Sequence, residues 1–194
     1  MSMCKIALFA SGNGSNAEKI VTYLQKKLPV SFVVVSNKKE AGVFARATNL
    51  AIPAYHFKKS DFDTGKVLHF LKTQEVDLIV LAGFLLLVPT EILEAYPQRI
   101  INIHPALLPK YGGEGMYGMN VHQAVAKAKE QYTGITVHYC NHEYDKGNII
   151  LQSAIPLSQE DTPEEIARKV QVLEHQEYPL VVEWLAKKII REKK

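Results

Sequence analysis

Short, continuous hydrophobic runs alternate with helical patterns over the first 130 residues of the chain. The runs predict strands buried on both faces of a sheet, because such strands lack the usual alternation of apolar and polar residues. They cover residues 5–10, 77–82 and 100–103, and further strands are predicted over 30–35 and 53–57. Apolar residues at helical spacing predict helices over 17–28, 42–50, 60–74, 91–96 and 121–129. This order predicts an α/β fold with a mostly parallel central sheet and helices on both faces.

The pattern changes after residue 130. Residues 133–139 alternate between apolar and polar side chains and predict a strand, and a further strand is predicted over 149–155. Because only a turn separates these two strands, one of them should run antiparallel near the C-terminus. Thr162 and Glu165 form a capping box that predicts the start of a last helix, which we expect to be interrupted at Pro179.

Composition indicates one globular domain that acts on a small molecule. The 194 residues are 47% hydrophobic and 22% charged, which suits a single domain over residues 1–194 with a sizeable core. The net charge of +3 is mild, and the lysines do not form the broad basic and aromatic surface expected of a nucleic-acid binder. A small anionic substrate fits this balance better than a polyanion does.

Cysteine content and hydropathy predict a location in the cytoplasm. The chain has two cysteines, Cys4 and Cys140, too few and too far apart for a disulfide framework. Residues 1–10 lack the features of a signal peptide. The longest apolar run, 78–88, is well short of the roughly 20 residues that a membrane span needs. We therefore expect no membrane partner.

The strand over residues 100–103 presents, at its end, polar side chains that could act in catalysis. Asn102 and His104 are two positions apart, so a strand would present them on the same face. Pro105 then ends the strand, at the edge where open α/β sheets bind ligands. An amide can donate to a developing oxyanion, and an imidazole beside it can move a proton. A structural role, with both side chains bonded to nearby backbone, is the alternative.

A glycine-rich turn joins the first strand to the first helix, with the sequence Ser11-Gly12-Asn13-Gly14-Ser15-Asn16. Backbone N–H groups at such a helix start suit a phosphate. The spacing of Gly12, Gly14 and Ala17 also fits a dinucleotide fingerprint, which expects an acidic residue after the second strand. Lysines stand there instead, which disfavours NAD but leaves NADP open. A tight turn that binds nothing is a third interpretation.

Two segments could complete a ligand site near Asn102. Residues 85–88 follow the fourth predicted strand and could line an apolar slot for a flat ring, although such residues are ordinary core in most proteins. Residues 110–119 contain four glycines and two tyrosines. They predict either a lid over the site or an idle surface loop.

His138, Cys140 and His142 recur at every second position and could present metal ligands on one face. No fourth ligand has a matching position, so we predict no metal site. Asp145 lies in the turn sequence Asp-Lys-Gly and is either a turn former or a carboxylate that orients His104 and favours its imidazolium.

Four segments together resemble the formyltransferase family, and within it the folate-dependent phosphoribosylglycinamide formyltransferases. They are the glycine-rich turn 11–16, Leu81-Ala82-Gly83-Phe84, residues 101–110 (INIHPALLPK), and the segment from Thr133 to His138 that leads to Asp145. The resemblance extends from Lys5 to about Trp184. It implies a Rossmann-like fold with a phosphate-binding half over about 1–100 and a folate-binding, catalytic half over about 101–194.

The resemblance also implies a reaction, which is direct formyl transfer from 10-formyltetrahydrofolate to the amine of 5-phosphoribosylglycinamide in purine biosynthesis. By this likeness Gly14, Ser15 and Asn16 hold the substrate phosphate, and Glu174 reaches the ribose or glycinamide. No metal is implied, and the protein is expected to be a monomer or homodimer.

On the folate side, the resemblance implies that Leu85, Leu86, Leu87 and Val88 flank the ring together with Asn102.

For the catalytic groups, it implies that Asn102 and His104 polarise the formyl group and that Asp145 keeps His104 protonated or orients a water. The family often has an arginine near Thr64 that meets anionic substrate ends. Lys66 is the candidate for that role here, and the segment 112–120 is longer and richer in glycine than is usual in the family.

Three other functions remain open at this point. A deformylase would use water as the acceptor, although related hydrolases carry an additional N-terminal domain. An oxidoreductase would bind NADP at the glycine turn. A nucleotide or folate binder would catalyse nothing.

Overall fold

The computed structural model describes residues 2–193 and centres on one seven-stranded sheet. The strands are β1 (Cys4–Phe9), β2 (Val30–Ser36), β3 (Ala54–His56), β4 (Leu78–Leu81), β5 (Ile100–His104), β6 (Tyr132–Tyr139) and β7 (Ile149–Pro156). Their order across the sheet is β3-β2-β1-β4-β5-β6-β7. Strands β1 to β5 are parallel, whereas β6 is antiparallel to β5 and β7 is antiparallel to β6. The predicted mixed sheet, mostly parallel with an antiparallel strand near the C-terminus, is confirmed.

Helices cover both faces of the sheet, as predicted. They are α1 (Ser15–Leu24), α2 (Val43–Asn49), α3 (Lys59–Asp63), α4 (Lys66–Thr73), α5 (Thr90–Ala95), α6 (Met119–Lys127) and α7 (Pro163–Glu192). One core cluster packs α1, α2, α6 and α7 on one face. A smaller cluster packs α3, α4 and α5 on the other. No helix in the described part of the chain combines the length and the apolar content that crossing a bilayer requires.

The single helix expected over residues 60–74 is two helices, α3 and α4. Gly65 stands between them with φ 72°, a left-handed conformation that interrupts the helical hydrogen bonds. The start of α3 is held by Asp61, whose carboxylate accepts from the Lys58 amide at 2.8 Å. The apolar spacing continues through the break, so the pattern alone did not show it.

Helix α7 is continuous through Pro179, contrary to the expected interruption. Proline removes one helical hydrogen bond. Burial of Tyr178, Pro179 and Val182 against the sheet offsets that loss. The predicted capping box at the start of α7 is confirmed, since Thr162 Oγ1 accepts from the Glu165 amide at 3.2 Å and Glu165 Oε2 accepts from the Thr162 amide at 2.8 Å.

Candidate active site

Strand β5 delivers Asn102 and His104 to the carboxyl edge of the parallel strands. Its isoleucines at positions 100, 101 and 103 are buried, which fixes the strand between β4 and β6. The His104 side chain is also buried, with 3% of its surface exposed. A buried imidazole needs partners for its nitrogens, and both nitrogens of His104 face oxygen atoms.

The first of these oxygens is a backbone carbonyl and the second a carboxylate. Nε2 of His104 lies 2.7 Å from the carbonyl oxygen of Tyr111, which can only accept, so Nε2 is the donor. Nδ1 lies 3.4 Å from Oδ2 of Asp145. Burial lowers the pKa of His104 and outweighs the Asp145 carboxylate and the Tyr111 carbonyl, which raise it. Asp145 therefore acts in the expected direction on His104, but desolvation leaves the imidazolium less favoured than the sequence suggested.

Asp145 reaches His104 from the loop between β6 and β7. Its φ of 56° is left-handed, a conformation that aspartate tolerates, and its Oδ2 accepts from the Gly113 amide at 2.9 Å. Burial alone would raise the pKa of Asp145, but the imidazoles of His138 and His104 and the Gly113 amide hold it below its usual value. The carboxylate is thus ionised at neutral pH.

His138 is a site residue that sequence reasoning treated only as a possible metal ligand. It pairs directly with Asn102 across β5 and β6, and its Nε2 lies 3.3 Å from Nδ2 of Asn102. The same Nε2 is 3.5 Å from Oδ1 of Asp145. Only the register of β6 could have placed it there. Within residues 2–193, no group of three or more histidine, cysteine, aspartate or glutamate side chains is arranged to hold a metal ion.

A cavity of about 610 Å³ opens beside these groups. Its wall includes Asn102, His104 and Asp145, and also Asn16 from α1 and Glu174 from α7. The structure therefore brings these five residues, all singled out from the sequence, to one cavity. The cavity is wide enough for a substrate of nucleotide size.

Asn16 and Glu174 form a pair in this cavity. Nδ2 of Asn16 donates to Oε2 of Glu174 at 2.8 Å. Burial raises the pKa of Glu174, although the Asn16 amide opposes the rise. The Oδ1 atom of Asn16 is buried and has no hydrogen-bond partner among the residues described. A buried acceptor without a partner is costly, so a donor on a bound ligand would stabilise it.

The glycine turn shapes the start of α1. Gly14 is the N-cap with φ 77°, and a Cβ added there would lie 2.5 Å from Cγ2 of Val43. Gly14 and Ser15 do not line the 610 Å³ cavity, whereas Asn16 does. Sequence reasoning also missed Arg46, whose Nε donates to the Asn13 carbonyl at 2.8 Å and whose guanidinium pairs with Glu18. The Arg46 guanidinium thus lies against the glycine turn.

The apolar segment divides between neighbouring cavities. Leu85 lines the 610 Å³ cavity, and Leu86, Leu87 and Val88 line a narrow second cavity of about 50 Å³. Phe84, Asn102, Tyr144 and Asp145 belong to the walls of both. The apolar slot and the polar groups are therefore contiguous.

Lys66 lies away from all of these groups. Its ammonium is 3.3 Å from Oδ1 of Asp61, its side chain is largely exposed, and it lines none of the three cavities beside the candidate site. Lys59 instead lines the third cavity, of about 300 Å³, together with Leu86, Leu87 and Val88. Unlike Lys66, the glycine-rich loop belongs to the candidate site, because residues 113–119 form part of the wall of the 610 Å³ cavity.

Comparison with known proteins places this arrangement in a family. The family model described as "Formyl transferase" matches residues 4–182. The chain is 42% identical to the chloroplastic phosphoribosylglycinamide formyltransferase of Arabidopsis thaliana over 92% of its length, and 39% identical to the phosphoribosylglycinamide formyltransferase of Bacillus subtilis over 94%. It spans 64% of the Arabidopsis protein and 95% of the Bacillus protein.

Solved structures agree with the sequence relatives. The phosphoribosylglycinamide formyltransferase of Anaplasma phagocytophilum superposes with a TM-score of 0.87 at 34% identity, covering 95% of this chain and 87% of that one. The enzyme of the same name from Streptococcus pneumoniae gives a TM-score of 0.82 at 34% identity, covering 95% and 99%. The chain therefore belongs to the formyl transferase family.

Proposed function

We propose that this protein transfers the formyl group of 10-formyltetrahydrofolate to the amine of 5-phosphoribosylglycinamide, a step of purine biosynthesis. The observation that carries the proposal is the shared cavity. It joins an amide, an imidazole and a carboxylate to the Asn16–Glu174 pair beside the glycine turn. Formyl transfer needs the catalytic groups and the Asn16–Glu174 pair to lie close enough for one substrate molecule to reach both.

On the acceptor side, we assign the phosphate to the backbone N–H groups of Gly14, Ser15 and Asn16. They start a ten-residue helix, whose dipole and free amides favour an anion. The Asn16 side chain is already bonded to Glu174, and its Oδ1 is an acceptor without a partner. This pair is suited to hydroxyl and amide donors, so we assign it to the ribose or glycinamide.

On the donor side, we assign the folate ring to the apolar slot formed by Leu85, Leu86, Leu87 and Val88, beside Asn102. The slot is contiguous with the cavity that holds the catalytic groups. A flat aromatic ring buried there would replace solvent contacts of Leu85 and Leu87, which are 40% and 43% exposed. On this assignment the folate slot draws on both halves of the chain, since Leu85 lies before residue 100 and Asn102 after it.

The chemistry follows from the charges that develop. The acceptor amine forms a bond to the formyl carbon, and the bond from that carbon to N10 of the folate breaks. The amine loses one proton, and N10 gains one. After the new bond forms and before the bond to N10 breaks, the formyl oxygen carries negative charge. The Asn102 amide and a cationic His104 stabilise this charge. Burial lowers the pKa of His104 overall, so the cation depends on the Asp145 carboxylate and the Tyr111 carbonyl, which both raise that pKa.

A spectrophotometric assay of 10-formyltetrahydrofolate with and without phosphoribosylglycinamide tests the proposal. We expect turnover only when the amine is present. Turnover with water alone would show a deformylase, and no turnover in either arm would favour an NADP-dependent enzyme or a binding protein. An Asn102→Ala variant purified in parallel controls for contaminating host enzyme.

We also propose that the protein works in the reducing cytoplasm as a monomer or homodimer. Both cysteines are unpaired, and Cys4 is buried. Light scattering after size exclusion distinguishes the two assembly states.

A further inference from the structure

We infer that His138 is a positioning residue that fixes the orientation of the Asn102 amide, so that one Asn102 N–H remains free for the reacting formyl oxygen. This inference rests on the proposed function for its chemical meaning. The orientation itself follows from the hydrogen bonds around the His138 ring.

The first step is the tautomer of His138. Its Nδ1 lies 2.9 Å from the carbonyl oxygen of Tyr139. A backbone carbonyl accepts and never donates, so the proton of the neutral ring is on Nδ1. Nε2 is then a bare acceptor.

The second step is the orientation of Asn102. Nε2 of His138 is 3.3 Å from Nδ2 of Asn102. Since a bare ring nitrogen can only accept, the NH₂ end of the Asn102 amide must face the ring, and the carbonyl end must face away. One N–H of Asn102 is used by His138. The other remains for a ligand in the cavity that Asn102 lines.

The third step is the rigidity of this arrangement. His138 is 2% exposed, so its ring has little room to turn. The Tyr139 carbonyl is closely packed by Gly147, where an added Cβ would lie 1.7 Å from the carbonyl oxygen. The Tyr139 amide in turn donates to the Asn148 carbonyl at 2.9 Å. The acceptor that sets the tautomer is thus fixed by the β6–β7 turn.

One neighbour competes for the same ring nitrogen. Oδ1 of Asp145 lies 3.5 Å from Nε2 of His138 and could bond to it only if Nε2 carried a proton. With that proton His138 would donate to Asp145 and lower the pKa of its carboxyl, but Asn102 would lose its acceptor. Nε2 lies nearer to Asn102, at 3.3 Å, so we assign it to Asn102.

Two variants separate this role from support of the Tyr139 carbonyl alone. In His138→Gln the side-chain oxygen can occupy the position of Nε2 and still accept from Asn102. In His138→Asn the amide nitrogen can occupy the position of Nδ1 and still donate to Tyr139, but nothing replaces Nε2. We expect His138→Asn to lose about 10²–10³-fold in kcat, the effect of removing one oxyanion donor, with each KM within about threefold.

The same argument predicts that His138→Gln keeps kcat within about tenfold of the unmodified protein, because Asn102 is still oriented. If the ring only supports the Tyr139 carbonyl, the order of the two variants is reversed, because His138→Asn keeps that hydrogen bond and His138→Gln loses it. That reversed order would overturn the inference.

A measurement on the unmodified protein does not depend on the variants folding. Nitrogen-15 chemical shifts of the His138 ring, assigned by comparison with His138→Gln, report which nitrogen carries the proton. We expect the Nδ1–H tautomer at neutral pH, and an Nε2–H or doubly protonated ring would refute the assignment. A lack of formyl transfer by the unmodified protein would instead overturn the proposed function, while the ring shifts would still decide the orientation of Asn102.

Discussion

At the scale of single residues, Asp145 both forms a tight turn and supplies a charged side chain to the candidate site. Its backbone is left-handed, and its carboxylate lies between two imidazoles and a backbone amide. The turn sequence around Asp145 could be recognised from composition, but its approach to His104 depends on a loop that folds back over the sheet. For this reason the sequence alone left both interpretations of Asp145 open, and the family resemblance favoured the catalytic one.

Replacing Asp145 by asparagine tests the catalytic half of this description. The Asp145 carboxylate raises the pKa of His104, so its loss should lower that pKa further and reduce the cationic fraction of His104 at any given pH. We expect turnover to fall by about 10²–10⁴-fold and the pH optimum to move to lower pH. Turnover against pH for both proteins, with thermal melts, measures this.

Asparagine tolerates the left-handed backbone at position 145, so the variant should melt close to the unmodified protein. Turnover within a few-fold at neutral pH would return Asp145 to a purely structural role.

Gly14 shows a second difference between pattern and structure at this scale. The glycine turn suggested a close approach of phosphate, yet the nearest obstacle to a side chain at Gly14 is Val43. The left-handed φ of 77° adds strain for any other residue. A large residue at position 14 would therefore report on folding rather than on phosphate binding.

We predict that Gly14→Ala destabilises the protein by at least about 1–2 kcal/mol, the cost of the left-handed backbone alone. Gly12→Ala is the matched control, because a Cβ at Gly12 meets no atom within 4 Å. Chemical denaturation should show the loss for Gly14→Ala only. Equal stability of the two variants would contradict the steric explanation.

At the scale of whole elements, the sequence predicted all seven strands. Errors arose where a single residue decided the outcome. Gly65 ends one helix and precedes another within an uninterrupted apolar pattern, and Pro179 is tolerated inside α7. Local propensity cannot decide such cases, because the balance is set by packing against the sheet.

Tyr178 is the contact through which α7 holds the two strands that carry the site. Its buried hydroxyl lies 3.0 Å from the Leu81 carbonyl of β4 and 3.3 Å from the Ile101 carbonyl of β5. These carbonyls belong to the residues just before Ala82 and Asn102. Helix α7, which carries Glu174, is therefore hydrogen-bonded to β5, which carries Asn102.

We predict that Tyr178→Phe lowers the free energy of unfolding by about 1–3 kcal/mol, since it removes a buried donor and leaves carbonyl groups without it. Urea titration of both proteins gives the difference. Tyr132→Phe serves as the control, because Tyr132 is 59% exposed and should lose little. A neutral Tyr178→Phe would mean that the two carbonyls are satisfied without the hydroxyl.

At the scale of the whole molecule, the site is assembled from segments far apart in the chain. Asn16, Asn102, Asp145 and Glu174 share one cavity although they come from α1, β5, the β6–β7 loop and α7. Alternating strands and helices predicted the sheet, and the strand end and the glycine turn indicated Asn102 and Asn16. The family resemblance added Glu174 and favoured the catalytic role of Asp145. His138 was missed because its role depends on the pairing of β6 with β5, and a register cannot be read from local periodicity.

The unequal division of the core between the two faces has a consequence for motion on the scale of minutes to hours. The larger cluster is closed by α7, whereas α3, α4 and α5 rest on the smaller one beside Leu86 and Val88. Elements with fewer buried contacts open first in native-state hydrogen exchange. We expect amides of α3 to α5 to exchange by local opening, well before those of β1 and α7. A folate analogue should slow exchange selectively around residues 84–95, and uniform exchange across both faces would show that the protein opens only as a whole.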